Sequence, residues 1–320
     1  MVGRRSAPGL LDSDIVPMRL RKHSNPRRWL ALLALAGMAC ESITDPALPT
    51  GATLLTPPAV YSRWWAMTEA CSGLHGNLSA ITWYVTPGAD SISDGTATNL
   101  AGYYAPAGNR IVLADTGTLS GTKIRHEMLH ALLGPSVHGH PRDQFLGRCA
   151  GTVDCIGPCI TDAGPPPPPD PSAIIVDPTA LEVTTALDPV TPRRSIDDGW
   201  FTFTILVTNP RSTPIIVTLP PPSDQTGPPP SFSWFASCVY SMKPCGQFGG
   251  VWRDVPAYDP ASVTRFASGE TKRFVVDFRV GSGYDGYWQL PGGAYAFTGY
   301  YGGRASPGVE SKPDTAVVGP

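Results

Sequence analysis

At 320 residues and a net charge of −2, with 16% charged side chains, the chain offers no basic field for nucleic acid and no alternating charge runs for a coiled coil. Proline (36) and glycine (34) are both abundant, which excludes an architecture of long helices and predicts short strands joined by many turns. The length allows two domains of ordinary size behind a leader.

Residues 1–40 read as leader and export signal, with Met18 as the expected start. Arg19, Arg21, Lys22, Arg27 and Arg28 make a positive region ahead of the apolar run at 29–39, which is too short to span a bilayer. The run ends in Gly37-Met38-Ala39-Cys40, which resembles a bacterial lipobox, with Gly37 where that pattern has Leu. The resemblance implies lipidation at Cys40 and anchoring to a membrane of the cell envelope, at the outer membrane or the cell surface. Ordinary cleavage after Ala34-Leu35-Ala36, giving a secreted protein, is the alternative.

Of seven cysteines, six remain once Cys40 is set aside, an even number in an exported chain where disulfides persist. Proximity pairs Cys155 with Cys159 and Cys238 with Cys245, and leaves Cys71 with Cys149. A second metal site built on Cys149, Cys155 and Cys159 is the alternative, although their spacing lacks the paired C-x-x-C of a zinc ribbon.

Residues 41–60, rich in Pro, Thr and Ala, suit a tether, and the first folded unit is expected over 61–163. Within it, 63–71 reads as a short helix with core-facing aromatics. Residues 81–86 alternate as a strand that Pro87-Gly88 ends, and 109–114 form a second apolar strand. Ser120 then caps a helix that runs to Leu133 and stops at Gly134-Pro135, with Ile124, Met128, Ala131 and Leu132 as its buried stripe. Five consecutive prolines within 164–172 form a stiff spacer with no donors for a sheet and mark a domain boundary. Period-2 runs at 200–207, 215–219, 273–280 and 293–300 then predict an antiparallel β-sandwich over 173–320.

The chemistry concentrates on the helix that Ser120 opens. His126-Glu127-Met128-Leu129-His130 is an H-E-x-x-H pattern, in which two imidazoles one turn apart share a face and can bind one Zn²⁺. Four of the six histidines (His126, His130, His138 and His140) fall within fifteen residues. A catalytic zinc wants three protein ligands and an open position. His138 and His140 are candidates for the third; two apart, in an extended segment they point to opposite sides, so one of them faces the metal, and Asp143 is a further candidate. Tyr103, Tyr104 and Arg125 are candidate oxyanion donors, each more simply read as packing, and the isolated His75 reads as a loop residue.

The motif resembles that of the zincin superfamily of metallopeptidases. Its continuation departs from the metzincin subgroup, because Gly134 comes one residue late and Ser136 stands where the third histidine is expected. His140 occupies the position, ten residues after His130, where aspzincins place an Asp, and this resemblance makes it the first choice for the third ligand, ahead of His138. The resemblance implies an α+β zincin-like small catalytic domain that binds one Zn²⁺ and hydrolyses a peptide or protein substrate, with Glu127 as the base that assists attack by zinc-bound water. Gly269-Glu270-Thr271 and Leu290-Pro291-Gly292-Gly293-Ala294-Tyr295 resemble turns of bacterial intracellular-proteinase-inhibitor-like domains, implying an all-β immunoglobulin-like sandwich after the zincin-like unit. The competing expectation is a catalytically inactive, zincin-like surface lipoprotein that acts as a binding or adhesion module through that sandwich.

Overall fold

Tyr61, Trp64, Trp65 and Met67 recur at helical spacing and form the buried side of the first helix, α1 (Val60–Ser72), which ends at Gly73 with φ +71°. The structure, a computed structural model, describes residues 46–155, 158–188, 199–219, 232–238, 247–251, 260–280, 289–290, 292–302 and 308–318. Cys40 and the leader lie outside the described residues, as does Cys245 of the expected Cys238–Cys245 pair. The fold is mixed α+β, with few helices and several antiparallel sheets.

Strands β1 (Thr53–Leu54), β2 (Thr82–Thr86), β3 (Gly102–Ala105) and β4 (Arg110–Ala114) make one sheet in the order β1-β2-β4-β3, with β2 and β4 parallel. The apolar strand that precedes the motif helix in sequence is therefore internal. The edge beside the motif helix is β3, the other being β1, and its four residues carry too short an alternation to stand out from sequence.

The motif helix, α2, spans Gly121–Leu133. Ser120 precedes it in an extended conformation and its carbonyl accepts the first helical bond from Ile124, but its side chain does not cap the helix. The stop is as the sequence expects: Gly134 takes φ +77° and its amide bonds to the His130 carbonyl. A π-helical turn (Asp143–Arg148) and a short helix α3 (Pro158–Asp162) follow. Cys71 is bonded to Cys149, tying α1 to the end of the π-turn across a sequence separation of 78, and Cys155 is bonded to Cys159. On the chain-entropy account the long-range bridge contributes about 4–5 kcal/mol.

After the exposed proline run the chain forms β5 (Ile174–Val176), β6 (Glu182–Asp188), β7 (Trp200–Thr208), β8 (Ile215–Val217), β9 (Phe232–Cys238) and β10 (Gln247–Val251). A short helix, α4 (Pro260–Thr264), leads into β11 (Arg265–Phe266), β12 (Thr271–Val280) and β13 (Gln289–Leu290). The last strands are β14 (Gly293–Tyr301), β15 (Val309–Glu310) and β16 (Asp314–Val318). They assemble as β13-β12-β7-β6, as β10-β9-β14-β15 with β16 also on β14, and as β11-β8-β5. Phe201, Phe203, Ile205, Phe274, Phe278, Tyr295 and Phe297 bury one shared core between the sheets, an arrangement compatible with a sandwich.

Strand period explains how the two halves join. Along β7 and β12, Phe201, Phe203, Phe274 and Phe278 face the shared core, so Trp200, Thr202, Val275 and Asp277 face the other way. That second face is also buried: Trp200 and Val275 join the cluster of Trp64, Ile111, Ile124 and Met128, with Trp200 edge-on to Trp64 at 5.6 Å. Gly151 packs directly on β12, accepting a 2.7 Å bond from the Val275 amide, and a Cβ at Gly151 would stand 1.7 Å from the Arg273 carbonyl oxygen. The strand sheet thus forms part of the motif helix's own packing.

Candidate metal centre

Because His126 and His130 are four apart on α2, their rings stand on one face, with centroids 5.0 Å apart. The loop after Gly134 brings His140 against both, at 5.0 Å from each. The three side chains offer ligand atoms that all lie within 4.8 Å of one another, so they could hold a metal ion. Phe145, fully buried in the π-helical turn, lies at 4.8 to 5.0 Å from all three rings and closes one side of their triangle.

In two of the three rings the Nδ1 atom is already occupied. His126 Nδ1 bonds to the Asp154 main-chain oxygen, and His140 Nδ1 bonds to Asp162 Oδ2 at 3.0 Å. Both partners are acceptors, so each Nδ1 carries the proton, and in the neutral rings each Nε2 presents a lone pair. Those two Nε2 atoms face each other at 3.1 Å. Ligands at about 2.0–2.1 Å from a tetrahedral ion stand roughly 3.3–3.4 Å apart, so the spacing fits two nitrogens on one cation. Burial disfavours the charged rings: it lowers His126 to about 3, assisted by His140, and pulls His130 and His140 below the usual histidine value.

Glu127 is buried on the same helix, at 9% exposure. Burial pushes its carboxyl up to about 8, and the Tyr104 amide of edge strand β3, which bonds to it, opposes that shift. Gly102 permits the approach of β3 to the helix, since a Cβ there would lie 2.7 Å from Leu113 Cδ2 and 3.5 Å from Glu127 Cγ.

Other candidates fall elsewhere. His138 is exposed and outside the triangle, Asp143 is exposed in the π-turn, and His75 is exposed beside Glu69. Arg125 is fully buried, with Nε donating to the Thr152 carbonyl at 2.7 Å and Nη1 paired with Asp277, which turns it away from any substrate. The Tyr104 hydroxyl donates to Asn109 Oδ1, and Tyr103 packs in the core on the far side of the sheet. Asp154, Asp162 and Phe145 have no signal in the sequence. They become site residues only through contacts made by the returning chain.

No protein-family model matches the chain, and no curated protein or solved structure matches it.

Proposed function

We propose that the chain is an exported zinc metallopeptidase of zincin type, in which His126, His130 and His140 hold one Zn²⁺ and Glu127 is the general base. The observation that carries this reading is the pair of Nε2 lone pairs facing each other at 3.1 Å with both Nδ1 positions already donating. Without a cation that arrangement is repulsive; with one it is a set of oriented ligands. Bound there, zinc supplies a Lewis acid that lowers the pKa of a coordinated water toward ~7.

The protein's own groups do the rest. The Asp154 carbonyl and the Asp162 carboxylate fix the tautomer and tilt of their imidazoles, and Phe145 keeps water off one side of the triangle. Glu127, next to His126, can take a proton from the attacking water at its carboxylate and return it to the leaving amine. Raised chiefly by burial, with the Asp94 charge adding to the shift, it is a group whose ionised form a neighbouring cation favours. As the edge of its sheet beside the helix, β3 offers an extended peptide a strand to pair with. The sheets of the second half, read as an immunoglobulin-like sandwich, support the helix, and a lipid at Cys40 would hold the protein to the cell envelope.

Glu127→Gln tests the mechanism. The variant should keep one zinc per chain and lose peptide hydrolysis by about 10²–10⁴-fold. Hydrolysis surviving that change excludes Glu127 as base, and zinc retained after His126→Ala with His130→Ala excludes the metal site. A zinc-loaded wild type that cleaves no unfolded protein favours the inactive binding module.

A further inference from the structure

The segment from Asp154 to Asp162 does more than support two imidazoles. Its ends supply the oxygen atoms that hold His126 and His140, and between them lie Cys155 and Cys159, both buried and bonded to each other. A ring nitrogen of His126 and the two sulfur atoms lie within 4.8 Å of one another. Four residues apart, the cysteines have a C-x3-C spacing that falls within the range by which structural zinc sites present paired thiolates. His126 therefore belongs to two overlapping donor sets, one of three imidazoles and one with two sulfurs.

We propose that Cys155 and Cys159, once reduced, form with His126 a second, thiolate-rich site for a soft divalent ion such as Zn²⁺, so that the thiol–disulfide state of the pair decides where the metal sits. The proposal rests on the three-histidine reading above. With Nδ1 committed to the Asp154 carbonyl, His126 has one nitrogen to give, so a single ion takes one set or the other. An external dithiol delivers two electrons and two protons to the Cys155–Cys159 bond and leaves as its own disulfide. Each new thiol loses its proton on binding the ion. Two thiolates outbid neutral imidazoles for zinc and neutralise its charge, and the ion's departure leaves His130 and His140 one ligand short of an open catalytic set. Oxidation restores the three-histidine set.

The test is zinc-edge X-ray absorption on the full chain with one equivalent of Zn²⁺, before and after reduction by a water-soluble phosphine. The phosphine takes up the oxygen of one water as it yields two thiols and offers no sulfur of its own. Alkylation and peptide mass mapping report which cysteines are free. The oxidised chain should show a nitrogen and oxygen shell alone, and the reduced chain two sulfur ligands at about 2.3 Å. Cys155→Ser with Cys159→Ser should keep the sulfur-free shell in both states; sulfur persisting in that variant assigns it to other cysteines and overturns the proposal. A sulfur-free shell in reduced wild type with both thiols mapped as free overturns the switch while leaving the three-histidine reading intact. So does a Cys155–Cys159 bond that resists the phosphine in the folded chain. An oxidised chain that binds no zinc overturns the three-histidine reading and the switch with it.

Discussion

The Arg125 guanidinium and the Asp277 carboxylate meet at 2.8 Å, buried to 0% and 8% exposure, and join the motif helix to β12. Thr202 Oγ1 donates to the other Asp277 oxygen at 2.9 Å, and Arg125 Nε donates to the Thr152 carbonyl in the loop that also holds His126. Arg125 immediately precedes His126, so the second half of the chain braces the motif helix at its most demanding residue.

Removing one partner leaves an uncompensated buried charge. Asp277→Ala is expected to cost about 3–5 kcal/mol, because the Arg125 cation then stays buried without its anion. Thermal unfolding should show a midpoint lower by roughly 10 °C, and Arg125→Met combined with Asp277→Leu should recover much of it. A single variant as stable as wild type would contradict the bracing role.

Phe145 touches all three imidazoles and has no exposed surface. Phe145→Ala should cost about 3–5 kcal/mol through the cavity it leaves, and Phe145→Leu distinctly less. Chemical denaturation measures the loss, and a chelator titration on Phe145→Leu measures how far the loosened rings weaken zinc.

Asp162 separates binding from stability. Its side chain is 47% exposed, so Asp162→Ala should change unfolding free energy by no more than about 0.5 kcal/mol. Zinc affinity should nevertheless fall about 10- to 100-fold, because His140 loses the acceptor that orients its ring. Equal affinities in competition with a fluorescent chelator would remove Asp162 from the site.

The two disulfides should behave differently. Cys71→Ala with Cys149→Ala opens a long loop and should cost about 4–5 kcal/mol, read as a lower denaturant midpoint. The equivalent Cys155 and Cys159 change opens a loop of only four residues' separation and should cost roughly half as much.

Much of the first half was legible because its signals are local. The apolar spacing of α1, the strand at Thr82–Thr86 and the glycine stop of α2 depend on residues within a few positions of one another. Ser120 has a capping residue's identity and backbone, yet its hydroxyl lies 3.4 Å from that of Thr122 and caps nothing. Arg125 and Leu129 are buried although the periodic stripe omits them, since two further bodies pack on the helix: β12 on the Arg125 side and Phe145 with the cysteine loops on the Leu129 side. β3 was hidden by its length, and with it the contact between the Tyr104 amide and Glu127.

Residue spacing alone requires that two imidazoles and a carboxylate share one turn of helix, because 3.6 residues per turn leaves positions 126 and 130 no other relation. It also determined the alternation that lets β7 and β12 present two different faces. That His140 rather than His138 meets them, and that Phe145, Asp154 and Asp162 surround them, follows from the folded chain and not from spacing. The fold alone decided that Asp277, 152 residues after Arg125, completes the helix's support. Those contacts join segments far apart in the chain, where no residue spacing records which partner a folded surface will meet.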